Sequence, residues 1–69
     1  MSTGFGIQGK VVVITGAAGG LGREFALGFA AEGADIVAAD VNEAGLAETV
    51  RLVTETGRSA IAVRVDVTN

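Results

Sequence analysis

A run of closely spaced glycines between a β-branched segment and an amphipathic one constrains the fold more than any other feature of this chain. The run is Thr15-Gly16-Ala17-Ala18-Gly19-Gly20-Leu21-Gly22. Before it stands Val11-Val12-Val13-Ile14, whose lack of alternation is typical of a strand buried on both faces in a parallel sheet. After it, residues 21–32 are predicted to form a helix that ends at Gly33. A strand, a glycine turn and a helix in this order indicate a βαβ unit.

The rest of the chain continues the same alternation. Residues 35–40 form a short apolar run bracketed by acids, which favours a second strand. Asn42 can cap a second helix, which has an apolar residue at every third or fourth position and ends at Gly57. Residues 59–67 are predicted as a third strand. The fold class is therefore α/β, a Rossmann-type βαβαβ half of a doubly wound parallel sheet, with both helices on one face and the other face bare.

The glycine run has the chemistry of a phosphate site. Its backbone N–H groups and the positive end of the first helix dipole converge on one spot, and side chains there would block a ligand's approach. The alternative is a glycine-rich turn that only connects two elements. The strand before it and the helix after it favour binding of a pyrophosphate. Gly28, inside the first helix, either lets the helix pack closely on the sheet or is simply tolerated there, and we favour close packing.

Asp40 ends the second predicted strand, 18 positions after Gly22. An acid about 20 residues beyond the glycines accepts hydrogen bonds from an adenosine ribose. Its charge repels a 2'-phosphate, and neither Ala17, Ala18 nor Val41 supplies a cation to hold one. The cofactor is therefore predicted to be NAD, with NADP disfavoured. Asp40 can instead, or in addition, start the turn into the second helix.

Two further positions have open interpretations. Asp66, at the end of the third strand, and the N–H of Val67 can together hydrogen-bond an adenine edge, or Asp66 can be a solvated loop acid or a helix cap. Arg23 is either a phosphate neighbour or a surface residue of the first helix. We favour the surface position for Arg23.

Composition excludes several other classes of function. The chain has no cysteine and no histidine, and Asp35, Asp40 and Asp66 are not spaced as a metal loop, so no metal is predicted. Its net charge is −3 and its five basic residues are scattered, so no nucleic-acid partner is expected. No apolar run approaches the ~20 residues that span a bilayer, and the N-terminus lacks a signal-peptide pattern. We expect a cytoplasmic protein without a membrane partner.

The pattern Thr15-Gly16-x-x-x-Gly20-x-Gly22 resembles the cofactor fingerprint of the short-chain dehydrogenase/reductase (SDR) family. Gly9-Lys10 before the first strand and Asp66-Val67-Thr68 after the third are similar to that family too. The resemblance implies a complete protein of roughly 250 residues, expected to be a homo-oligomer, that transfers hydride between NAD(P) and an alcohol or carbonyl substrate. The predicted cofactor-binding residues are Gly16, Ala18, Gly20, Leu21, Gly22, Asp40, Val41, Asp66 and Val67.

In that family the residues that perform the chemistry lie beyond the third strand. They are a Tyr and a Lys four positions apart, with a Ser and an Asn, and this chain has no tyrosine. No catalytic residue is therefore predicted within it. Because 69 residues are fewer than the roughly 100 to 200 of a typical domain, residues 1–69 are expected to be the N-terminal part of one incomplete dinucleotide-binding domain. The alternative is a stand-alone, non-catalytic dinucleotide-binding module, which predicts a stably folded 69-residue chain.

Overall fold

The chain forms a parallel three-stranded sheet with two helices, in a computed structural model that describes residues 8–65. Its elements are β1 (Val11–Thr15), α1 (Gly20–Ala31), β2 (Asp35–Asp40), α2 (Glu43–Glu55) and β3 (Ala60–Arg64). The strands lie in the order β1-β2-β3, and both neighbouring pairs are parallel. This arrangement confirms the predicted α/β fold and its βαβαβ order. Strand β3 ends at Arg64 instead of Val67, and residues 66–69 lie outside the described part of the chain.

One face of the sheet is covered by both helices. Helix α1 contacts β1 and β2, α2 contacts β2 and β3, and the two helices contact each other. The core between the layers contains the buried side chains Ile14, Ile36, Leu46 and Val53. The core also contains four buried alanines, whose small side chains do not separate the layers: Ala26, Ala30, Ala34 and Ala38. Small side chains at the centre therefore bring the helices close to the strands.

The other face of the sheet is apolar and uncovered among the described residues. Val13, Val37 and Ile61 lie side by side across the three strands. Val13 is 64% exposed and Ile61 is 59% exposed. Within residues 8–65 the side chains of β1 are therefore buried on one face only, as two helices on the same side require, and the burial on both faces that the β-branched run predicted is not found there.

The ends of the helices follow the local sequence signals. The Asn42 side chain caps α2 by accepting a hydrogen bond from the N–H of Gly45, at 3.0 Å. Gly33 and Gly57 follow the two helices with φ angles of 98° and 94°, which confirms the predicted stops. The interpretation of Gly28 is wrong, because it lies on the exposed side of α1 and a Cβ there would meet nothing within 4 Å. Neither helix of residues 8–65 has the length and apolarity needed to cross a membrane.

Candidate functional site

A cleft lies at the edge of the sheet where the three parallel strands end. Its volume is about 230 Å³. It is lined by residues from the ends of the strands and from the segments that follow them, namely Thr15, Gly16, Ala39, Asp40, Val41 and Val65. In open α/β sheets, ligands bind in the crevice beyond the carboxyl ends of the strands. The structure therefore brings the start of the glycine loop and Asp40 together at the edge where a ligand is expected.

The glycine loop leaves open space on the side away from the core. A Cβ built on Gly16, Gly19 or Gly20 would meet nothing within 4 Å. Gly16 and Gly20 also have positive φ angles, 68° and 57°, which a larger residue adopts only with strain. Side chains at these positions would fill the space in front of the loop, so the glycines keep an approach to the backbone open.

The two helices begin in different electrostatic surroundings. Helix α2 starts with the Asn42 cap and has an acid, Glu43, in its first turn. Helix α1 follows Gly19, which has no side chain to cap it, and its first turn contains no acid. The first N–H groups of a helix have no partner within the helix and carry the positive end of its dipole. Helix α2 therefore supplies its own cap and its own acid. The N–H groups at the N-terminus of α1 can instead bind an external anion.

Gly22 has a different task from the glycines before it. A Cβ on Gly22 would lie 2.0 Å from the carbonyl oxygen of Gly16 and 3.0 Å from Cα of Ala17. A Cβ essentially never comes within 3.0 Å of a non-bonded atom, so only glycine lets the first turn of α1 contact the preceding loop in this way. Glycine is therefore required at position 22 for the packing of α1 against the loop, and not for access of a ligand to the loop.

Asp40 joins the end of β2 to the glycine loop. One carboxylate oxygen, Oδ2, accepts a hydrogen bond from the N–H of Ala18 at 3.0 Å, and the other, Oδ1, accepts from the N–H of Asn42 at 3.1 Å. The N–H of Ala18, followed by that of Asn42, holds the pKa of the Asp40 carboxyl below its ordinary value. Asp40 is therefore ionised at neutral pH, and it does start the turn into α2, one of its two expected roles. A carboxylate has about four acceptor sites, so these two bonds leave capacity for a ligand hydroxyl.

Arg23 is not the surface residue that the sequence suggested. It is half-buried, and its Nε donates to the hydroxyl of Thr49 at 2.9 Å. Its Nη2 donates to the carbonyl oxygens of Ala18 at 2.6 Å and Gly45 at 3.1 Å. The sequence did contain a signal for this contact, because Thr49 is a polar residue in the apolar stripe of α2. A buried hydroxyl on such a stripe needs a partner from another element.

The other predicted site residues have the following positions. Leu21 is 68% exposed in the first turn of α1, and Val41 is 52% exposed beside the cleft. Asp66 and Val67 lie outside the described residues. The N–H of Val65 donates to the carbonyl oxygen of Asp40 at 3.0 Å, so the chain approaches this edge of the sheet immediately before Asp66.

Comparisons with known proteins agree with this geometry. The family model for short chain dehydrogenases matches residues 10–69. An SDR from Burkholderia phymatum, crystallised in complex with NAD, is 49% identical with a TM-score of 0.86, over 94% of this chain and 23% of that one. Carveol dehydrogenase from Mycobacterium avium, also in complex with NAD, is 39% identical with a TM-score of 0.82, over 87% and 26%. The 3beta-hydroxysteroid dehydrogenase 1 of Eggerthella lenta is 47% identical over 88% and 24%. The chain thus spans about a quarter of the length of each of these proteins.

Proposed function

This chain belongs to the short-chain dehydrogenase family, and we propose that it forms the part of an NAD-dependent oxidoreductase that holds the pyrophosphate and the adenosine half of the cofactor. The observation that carries the proposal is the convergence of two groups on one cleft. They are Gly16, the start of the open glycine loop that leads to the uncapped N-terminus of α1, and Asp40, whose carboxylate is ionised. The first suits a diphosphate, and the second suits a pair of ribose hydroxyls.

The residues of the chain fit the cofactor's pyrophosphate. Gly16, Gly19 and Gly20 provide a cradle that any Cβ would fill, and the N–H groups of Gly20 and Leu21 stand at the positive end of α1. A pyrophosphate has two negative charges that hydrogen bonds and the helix dipole can stabilise without a metal or a basic side chain. The loop would therefore bind the part of the dinucleotide that NAD and NADP share.

Asp40 would decide between the two cofactors. Its remaining acceptor sites can bind the ribose hydroxyls of NAD, whereas the 2'-phosphate of NADP would bring a second negative charge next to the carboxylate. Two of the relatives that share this fold were crystallised with NAD. Val41 at the cleft, and Asp66 with Val67 beyond the described residues, would complete the adenosine site.

The chemical step belongs to other residues of the complete protein. NAD supplies a hydride acceptor, and its reduced form a hydride donor, for an alcohol or carbonyl substrate. Proton transfer at the substrate oxygen needs a general acid or base, and the chain has no tyrosine, histidine or cysteine. The residues described above bind and orient the cofactor. An alcohol or carbonyl substrate, a homo-oligomeric assembly and a cytoplasmic location remain predictions for the complete protein.

The test is a calorimetric titration of the complete protein with NAD, NADP and ADP-ribose. We expect saturable binding of NAD and of ADP-ribose, because the proposed site holds the ADP half of the cofactor. Gly20→Val places a branched side chain at a positive φ in front of the loop and should abolish binding of all three ligands. Circular dichroism should show that the variant keeps its secondary structure. Wild-type-like binding by a folded Gly20→Val protein would mean that the pyrophosphate lies elsewhere.

A further inference from the structure

A buried threonine and a half-buried arginine join α2 to the glycine loop. The side chain of Thr49 is completely buried, and its hydroxyl oxygen lies 2.6 Å from the carbonyl oxygen of Ala17, to which it donates. The same oxygen accepts from Nε of Arg23, and Nη2 of Arg23 donates to the carbonyl of Ala18. Two successive carbonyl groups of the loop are therefore held by side chains from two different helices.

The N–H groups of the same two loop residues are held by the last two residues of β2. The N–H of Ala17 donates to the carbonyl oxygen of Ala39 at 3.1 Å, and that of Ala18 donates to the Asp40 carboxylate at 3.0 Å. In both Ala17 and Ala18, the backbone N–H and the backbone carbonyl are therefore hydrogen-bonded. A peptide unit held in this way resists rotation, and the direction of the next N–H groups along the chain depends on it. Those next groups belong to Gly19 and Gly20, at the start of α1.

Gly45 allows the helix to come close enough for these contacts. A Cβ on Gly45 would lie 2.5 Å from the carbonyl oxygen of Ala18 and 2.7 Å from its Cβ. Its own carbonyl oxygen accepts from Arg23 at 3.1 Å and lies 3.1 Å from the Thr49 hydroxyl oxygen, whose single hydrogen points to the nearer carbonyl of Ala17. The first turn of α2 is therefore in direct contact with the loop, and Arg23 and Thr49 fill the space next to that contact.

We propose that Arg23, Gly45 and Thr49 form a clamp that presets the glycine loop in its pyrophosphate-binding conformation. Arg23 is a cation close to the loop, but its bonds to Thr49, Ala18 and Gly45 make it a positioning residue and not a phosphate ligand. This inference rests on the proposed function, because the clamp acts on affinity for the cofactor. A preset loop does not have to be ordered when NAD binds, so the clamp lowers the free-energy cost of binding.

The test compares Thr49→Val with Thr49→Ser in the complete protein. Valine has nearly the shape of threonine but leaves Nε of Arg23 and the carbonyl of Ala17 without their partner, whereas serine keeps the hydroxyl. We expect Thr49→Val to raise the Kd and KM for NAD, and the Kd for ADP-ribose, about tenfold, equivalent to about 1.4 kcal/mol. The kcat at saturating NAD should stay within about twofold, since the clamp touches no reacting atom. Thr49→Ser should bind NAD like the wild type.

Two further variants separate the clamp from general stability and from charge. Val53→Ala removes a fully buried side chain one turn further along α2 and should lower the midpoint of thermal unfolding without changing the KM for NAD. Arg23→Lys keeps the positive charge but loses the planar fork that reaches Thr49, Ala18 and Gly45 together, so it should raise the KM for NAD as Thr49→Val does. All assays are run well below the unfolding midpoint of the least stable variant.

The clamp would be overturned if Thr49→Val bound NAD with wild-type affinity, or if Val53→Ala lost as much NAD affinity as Thr49→Val. Either result would leave NAD binding by the wild type, and so the proposed function, intact. An unchanged KM in Arg23→Lys would also overturn it, because a charge alone would then suffice. Failure of the wild-type protein to bind NAD would overturn the proposed function and the clamp together. The wild-type titration therefore distinguishes the two failures.

Discussion

The same substitution at two glycines of α1 should have opposite effects, and Gly22→Ala is the informative one. The added Cβ would lie 2.0 Å from the carbonyl oxygen of Gly16, whereas ordinary contact begins near 3.4 Å. The helix and the loop must therefore move apart by more than 1 Å. Overpacking of this kind costs about 1–3 kcal/mol, against a gain in helix propensity of at most about 1 kcal/mol. We expect Gly22→Ala to reduce the free energy of unfolding by about 1–2 kcal/mol.

The displacement should also reduce affinity for the cofactor. It shifts the first N–H groups of α1 relative to the loop, and a misplacement of about 1 Å can cost two orders of magnitude at a site of fixed geometry. We expect NAD binding to weaken at least tenfold, measured by calorimetric titration of the complete protein, with urea unfolding for stability. The matched control is Gly28→Ala, which meets nothing within 4 Å and should increase the free energy of unfolding by about 0.5–1 kcal/mol with unchanged NAD affinity.

A Gly22→Ala protein with wild-type stability and wild-type NAD affinity would refute this reasoning. It would show that the contact between Gly22 and Gly16 is not as close as the structure has it, or that the loop adjusts without effect on the ligand. A loss in both variants would show that alanine is unfavourable at either glycine of α1, so the loop contact would not be the cause.

Three other predictions concern Asp40 and the uncovered face of the sheet. Asp40→Ala should weaken NAD binding and let NADP compete in a titration of the complete protein; equal loss for both cofactors would contradict the ribose assignment. Because the pKa of Asp40 is lowered on folding, its stabilising bonds are fully present above the ordinary carboxyl value of 3.8 and are lost as the pH falls through the lowered value. The stability difference between the wild type and Asp40→Asn should therefore shrink in urea unfolding as the pH falls below 3.8. A difference that stays constant over that range would show that the carboxylate charge does not cause the stabilisation. The isolated chain of 69 residues should self-associate in sedimentation through its apolar face, and Val13→Lys with Ile61→Lys should reduce this association; a stable wild-type monomer would favour the stand-alone module.

The order of the elements and their ends could be predicted because they depend on neighbours in the sequence. The β-branched run before Gly16 and the acid-bracketed run that ends at Asp40 both form strands where expected. Asn42 caps α2 and Gly57 follows it, since capping and positive φ are properties of a few adjacent residues. The end of β3 was placed too late, because its pairing with β2 stops where β2 stops.

The cleft could also be anticipated, since parallel strands end at one edge and the glycine loop and Asp40 both follow strand ends. The hydrogen bond between Asp40 and the N–H of Ala18 could not be anticipated. These residues are 22 positions apart, and their distance depends on the register of β1 against β2. Glycine spacing alone did not distinguish Gly22, which touches the loop, from Gly28, which faces open space.

The sequence by itself determined the βαβαβ order, the helix caps and the kind of ligand that the glycine loop suits, since each follows from residues close together in the chain. Only the tertiary structure decided the role of Arg23, because Thr49 indicated a polar contact under α2 but nothing near Arg23 in the sequence identified it as the partner. Its partners Gly45 and Thr49 belong to another helix, and they meet it because small residues let α1 and α2 pack side by side against β2. The distance between two packed helices is set by all the side chains between them, and no short stretch of sequence contains that information.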